Sequence, residues 1–127
     1  MQQNTHLKID NSINGNIVKL DKGYAKVELK TTELMSADER GLVHGGFCFG
    51  AADFAAMVAV NDPFVVLAKS EVEFLAPVKV GEIVEFEAKV SKEDGRWFKV
   101  HVSGKVDKKD IFEGLFDAVV LKDHVLS

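Results

Sequence analysis

The chain has 127 residues, 46% of them apolar and 28% charged, with a net charge of −4; this is enough for one globular domain with a single hydrophobic core and too little for two. The charges are mixed, with no basic block or stripe, so nucleic acid is not expected as a partner, and the lone cysteine, Cys48, excludes an intramolecular disulfide. The N-terminus from Met1 to Lys8 is polar, and the longest apolar run, Phe47 to Val60, is interrupted by Asp53 and falls short of the ~20 residues of a membrane helix; the expectation is a cytoplasmic protein with no membrane partner.

In chain order, residues 1–15 are expected to be loosely structured, with Asn14-Gly15-Asn16 as a turn signal. Tyr24 to Thr31 alternates, Ala25, Val27 and Leu29 on one side and Lys26, Glu28 and Lys30 on the other, which predicts a half-buried strand. Thr32 to Val43 is polar and irregular and predicts a loop. Gly46 to Val60 mixes large apolar residues (Phe47, Phe49, Phe54, Met57) with Gly50 and several alanines and has no polar face, so it predicts a helix of about four turns, buried on most sides. Asn61-Asp62-Pro63 should stop it, because the residue before a proline avoids helical geometry. Four further strands are predicted at Phe64 to Leu75, Ile83 to Val90, Arg96 to Val106 and Ile111 to Leu121. Glu93-Asp94-Gly95 and Asp107-Lys108-Lys109-Asp110 are the turns between the last three. The whole chain, residues 1–127, thus reads as a single α+β domain, a long central helix wrapped by a five-stranded antiparallel sheet whose last strands form a meander. Such a sheet has two edges to cover, which favours a homodimer, with a homotetramer as the alternative.

Two features carry chemistry. His44-Gly45-Gly46 stands at the start of the helix, where backbone N–H groups are unpaired and the macrodipole is positive. Glycine there admits close approach, so the motif can form an oxyanion hole; the plainer alternative is that the glycines turn the chain and His44 packs. Asp53 is the one charge between Gly46 and Val60. A carboxylate on an apolar helix is costly unless paired, so it is either a general base or nucleophile or the acceptor of a structural hydrogen bond. His44 and Asp53 are nine residues apart, about 13 Å along one helix, too far to serve one carbonyl within one chain. Antiparallel packing of two such helices would bring each Asp53 to the other chain's helix N-terminus. Cys48 lies one turn into the helix, where the dipole would lower a thiol's pKa, but no histidine partner is placed and it reads as a packing residue. His6, His101 and His124 show no metal-ligand spacing, no metal is expected, and Asp107 to Asp110 reads as a solvated turn.

The stretch His44-Gly45-Gly46-Phe47-Cys48-Phe49-Gly50-Ala51-Ala52-Asp53, followed by Asn61, resembles the acyl-CoA thioesterases of the hotdog superfamily, in particular the phenylacetic-acid thioesterase-like branch. The resemblance extends to Phe74-Leu75-Ala76-Pro77-Val78-Lys79-Val80-Gly81-Glu82, which is similar to the signature F-x-x-P-x-x-x-G-[DE] that follows the helix. It implies a hotdog fold and a catalytic set of Asp53, Gly45 and His44. The Gly45 N–H would polarise the thioester carbonyl, Asp53 of the partner chain would activate water or attack directly, and His44 would position the thioester. Gly46, Phe47 and Asp38 would contact substrate, and the pantetheine arm would lie between subunits with the nucleotide at the surface. Coenzyme A enters as part of the ligand, and no other cofactor is implied. The chain departs from the family at Asp38, where asparagine is common six residues before the histidine, and at Leu67 and Ala68, where relatives place Ser or Thr. These departures bear on hydrolysis more than on binding. The leading reading is therefore a thioesterase acting on a small or medium acyl-CoA, and the second a non-catalytic acyl-CoA-binding sensor or carrier. A purely structural dimerisation module would leave Asp53 unexplained, and a hydratase lacks a suitable adjacent Asp and His set.

Overall fold

In a computed structural model describing residues 1–127, one long helix lies against a single antiparallel sheet. A short helix, α1 (Asn11–Asn14), precedes β1 (Asn16–Asp21) and β2 (Tyr24–Lys30); a 3-10 turn (Glu33–Met35) then leads to the central helix α2 (Gly45–Val60). Strands β3 (Val65–Phe74), β4 (Ile83–Asp94), β5 (Trp97–Val106) and β6 (Lys109–Val120) follow. The sheet order is β1-β2-β4-β5-β6-β3. The chain leaves β2, crosses the sheet through α2 to the far edge, and returns as the expected β4-β5-β6 meander.

The sheet has six strands where the sequence reading expects five. The additional strand, β1, is hidden by a bulge: its register against β2 shifts between Ile17 and Lys19. Its inward residues, Ile17 and Leu20, are therefore three apart rather than two, and the period-2 signal is lost. The N-terminal residues also differ from the loose segment expected of them. Asp10 accepts from the Ser12 N–H and starts α1. Gly15 then turns the chain at φ +92°, and a Cβ there would stand 2.5 Å from Val27 Cγ1, so only glycine fits. Thr5 is buried, Ile9 and Ile13 pack on the core, and the His6 ring lies 6.3 Å from that of Phe54.

Helix α2 is consequently a middle layer. Its alanines, Ala51, Ala52, Ala55 and Ala59, are fully buried and allow close approach to β2 and β4, the strands it covers most; larger residues there would overpack the interface. Phe86, Phe112 and Phe116 fill the core, edge to face or tilted at 5.7–6.4 Å between centroids. The helix ends one residue before the predicted proline effect would act: Asn61 adopts the left-handed conformation (φ 58°), and its N–H donates to the Met57 carbonyl at 2.9 Å. At the far edge β3 also carries a bulge, between Leu67 and Lys69. No helix of the structure is long and apolar enough to cross a membrane.

Candidate functional site

The segment leading into α2 is held by a small ladder of two bridges outside the main sheet. Ser36 bridges Val43, and Leu42 bridges Lys79. The His44 N–H donates to Met35 O (2.8 Å), the Val43 N–H to Val78 O (2.9 Å) and the Val80 N–H to Gly41 O (2.8 Å). The two signatures read separately in the sequence, HGG and F-x-x-P-x-x-x-G-E, are thus joined through backbone hydrogen bonds at one place.

His44 is the N-cap of α2, yet its side chain makes no capping bond. The ring instead folds beside Gly46, where a Cβ would meet it at 3.0 Å, and stands edge-on to Phe47 with centroids 6.2 Å apart. The first-turn N–H groups of Gly45 and Gly46 therefore remain without a side-chain acceptor, at the positive end of a 16-residue helix. The Phe74 ring limits the space over Gly45, lying 3.2 Å from where a Cβ would be. Gly45, Cys48, Phe74, Pro77, Val78 and Ile111 are among the walls of an apolar groove of about 330 Å³ that opens at this helix end. The groove was missed by the sequence reading. Its signal, the FLAP stretch from Phe74 to Pro77, was visible, but its place beside Gly45 depends on the long-range ladder.

Asp53 lies two turns further along α2. Its Oδ1 is buried and has no hydrogen-bond partner, and burial pushes the carboxyl up to about 6. No neighbouring charge of the same chain contributes to that rise. Asp53 shares a helix stripe with exposed Gly46 and the half-buried Phe49, Gly50 and Val60, the part of α2 that neither the sheet nor the N-terminal segment covers completely. Within one chain, then, the structure joins His44, Gly45, Gly46 and Phe47 at the helix start and leaves Asp53 apart from them.

Asp38 is exposed, and its Oδ1 accepts the N–H groups of Arg40 (2.9 Å) and Leu42 (3.2 Å), so this carboxylate shapes its own loop. Cys48 is buried, and burial pushes its thiol up to about 11, so the residue packs rather than reacts. Ala68 is the unpaired residue of the β3 bulge and Leu67 precedes it, and neither offers a side-chain donor. No group of three or more His, Cys, Asp or Glu side chains could hold a metal ion.

The thioesterase superfamily family model matches residues 40–111, which include the HGG motif, Asp53 and the Phe74–Glu82 signature. Methylthioribose-1-phosphate isomerase of Aquifex aeolicus is 50% identical over 123 residues, covering 97% of this chain and 27% of that protein. Transcription factor FapR of Bacillus subtilis is 31% identical over 117 residues, covering 87% of this chain and 60% of that protein. The chain thus spans between 27% and 60% of the length of these curated relatives. Among solved structures, an uncharacterized protein from Pyrococcus horikoshii is 45% identical, with 100% of this chain and 98% of that one covered and a TM-score of 0.99. At lower identity the likeness is one of fold. A hypothetical thioesterase from Streptococcus pneumoniae, solved with coenzyme A, is 18% identical over 87% of this chain and 88% of that one, with a TM-score of 0.78. The E. coli PaaI protein from the phenylacetic acid degradation operon is 20% identical over 90% of this chain and 84% of that one, with a TM-score of 0.82.

Proposed function

Since the chain belongs to the hotdog-fold thioesterase superfamily, we propose that it is an acyl-CoA thioesterase acting on small or medium acyl groups at a site shared by two copies of the chain. The observation that carries this reading is Asp53: a carboxyl with a buried, unpartnered oxygen, poised near neutrality, on a helix whose N-terminal N–H groups are also free. Dimerisation brings the two halves together. The half-covered stripe of Gly46, Phe49 and Asp53 suits antiparallel packing against the same stripe of a second helix, and β3 at the sheet edge leaves backbone groups to pair.

In the proposed reaction the thioester carbonyl oxygen accepts from the Gly45 N–H, with the ring of His44 and the backbone of Gly46 setting its approach and Phe47 beside them. Asp53 of the partner chain takes a proton from water as the water oxygen adds to the carbonyl carbon. The tetrahedral intermediate, its charge held at the helix N-terminus, collapses with cleavage of the C–S bond. The departing thiolate takes the proton from Asp53, giving carboxylic acid and free coenzyme A. Only water and these groups are needed, so coenzyme A enters solely as part of the substrate. A carboxyl near 6 is largely ionised at neutral pH and still basic enough to accept a proton. The single, reduced cysteine and this ligand class fit a cytoplasmic protein.

A second reading, an acyl-CoA-binding sensor or carrier without turnover, is favoured by two observations. Leu67 and Ala68 supply no side-chain hydrogen bond to a water, and a relative is a transcription factor. Free-thiol release from a panel of acyl-CoAs, measured with wild type and Asp53→Asn side by side, separates the readings. Turnover that falls at least ~100-fold in the variant supports the enzyme. Equal rates would remove Asp53 as the base, and calorimetric binding without release in wild type would support the sensor.

A further inference from the structure

One turn before Asp53, helix α2 has no side chain, and a second polar group fills the space. A Cβ at Gly50 would meet Asn14 Oδ1 at 3.1 Å. Glycine at this position therefore lets the amide oxygen of Asn14 settle on the helix surface. Gly50 and Asp53 are three residues apart, so they share a helix face with Cβ positions about 5–6 Å from each other. An amide oxygen over Gly50 and a carboxyl at Asp53 thus stand at a spacing that one water can bridge.

The short helix α1 fixes Asn14 in this place. Its N–H and its Nδ2 both donate to Asp10 O, at 3.1 and 3.0 Å. The second bond sets which way the amide faces: with Nδ2 held by Asp10, Oδ1 is the atom turned to Gly50. That bond is the only one the Asn14 side chain makes, so Oδ1 is a free acceptor. Asp53 Oδ1 also lacks a partner. Two uncommitted oxygens, one from the N-terminal segment and one from α2, therefore occupy neighbouring positions on the half-covered stripe of the helix.

Hydrolysis needs such a pair. A water that donates one hydrogen to a carboxylate can still swing about that bond. A second acceptor for its other hydrogen fixes the direction of the attacking lone pair. Leu67 and Ala68 offer no such group, and Asp38 Oδ1 is occupied by the N–H groups of Arg40 and Leu42.

We propose that Asn14 is a positioning residue for hydrolysis, its Oδ1 accepting one hydrogen of the attacking water while Asp53 of the same chain accepts the other. The hydrogen on Asp53 is the one transferred. The hydrogen on Asn14 stays on the water oxygen, which becomes the hydroxyl of the product acid. This proposal rests on the thioesterase reading above and adds to it the group that aims the nucleophile.

The test follows free-thiol release from the acyl-CoA that wild type turns over fastest, and calorimetric binding of the non-hydrolysable thioether S-hexyl-coenzyme A. Asn14→Ala should lower kcat about 10- to 100-fold with KM and thioether affinity unchanged. Asn14→Asp keeps an oxygen beside Asp53 but adds a like charge, so the acid limb of its kcat/KM profile should move up by about one pH unit. Asn11→Ala is the structural control. It removes the bond from Asn11 Nδ2 to Gly15 O (2.9 Å) in the same turn and should leave kcat and both profiles as in wild type. An Asn14→Ala variant with wild-type kcat, an equal loss in Asn11→Ala, or an unmoved acid limb in Asn14→Asp overturns the assignment. A rate that depends on Asp53 but not on Asn14 removes this proposal alone. If wild type hydrolyses no acyl-CoA, the thioesterase reading fails and takes this proposal with it.

Discussion

The two ends of α2 are treated in opposite ways. At the C-terminal end every device closes the helix. Asn61 turns left-handed, its N–H satisfies the Met57 carbonyl, its side chain accepts from the Asn4 N–H at 2.7 Å, and its amide donates to Gln2 O at 2.8 Å. At the N-terminal end His44 withholds its side chain, two glycines leave the backbone bare, and an apolar groove opens alongside. One end is a solved capping problem. The other leaves its first-turn donors without a side-chain acceptor, which is where the proposed function puts the thioester carbonyl.

The most forceful way to break the comparison is to fill the open end. Gly45→Val puts branched carbons where the Phe74 ring already stands 3.2 Å from a Cβ and should lower kcat/KM by about 100-fold or more, the scale of losing an oxyanion donor. Hydrolysis at the wild-type rate would show that the carbonyl binds elsewhere. A second break concerns stability. Because burial raises Asp53 from 3.8 to about 6, the folded state favours the protonated form. Its contribution to stability is greatest below the unfolded pKa and is lost as pH rises through about 6. Asp53→Asn removes that loss, so it should stabilise the fold by on the order of 1–3 kcal/mol at pH 8 and by almost nothing at pH 3. Thermal melts at both values decide it, and equal shifts would mean that the rise is not a property of the folded chain. The same titration sharpens the mechanism: log kcat/KM should climb one unit per pH unit below about 6 and level off above it, and a flat profile from pH 5 to 8 would rule out a base at Asp53. The smallest effect belongs to the closed end. Asn61→Gly keeps the left-handed turn but removes both side-chain bonds to the N-terminal segment; it should cost about 1 kcal/mol of stability and leave kcat/KM unchanged.

What was legible in the sequence follows from where the determining forces lie. Helix α2 is identifiable from a composition that is apolar apart from Asp53, and the meander from turn signals at Glu93-Asp94-Gly95 and Asp107–Asp110, because those forces are local. HGG and Asp53 stand out because glycine pairs and lone buried charges are costly unless used. By contrast β1 escapes a period-2 search because its bulge spaces Ile17 and Leu20 irregularly. The N-terminal segment reads as loose because the partners that order it, Phe54 and Asn61, lie about fifty residues away. The groove has the same character. Phe74 to Val78 and Gly41 to Gly45 are each recognisable, but only a ladder between distant segments makes one wall of them. Cys48 shows a local argument defeated by a tertiary one, since proximity to a helix start predicts a reactive thiol and burial gives an inert one.

The tether between residues 2–4 and Asn61 also gives the domain a direction of attachment. Whatever polypeptide is joined ahead of Met1 enters beside the closed end of α2, a full helix length from Gly45. Within one chain, a tag or linker on that side therefore enters at the opposite end of the helix from Gly45 and its groove.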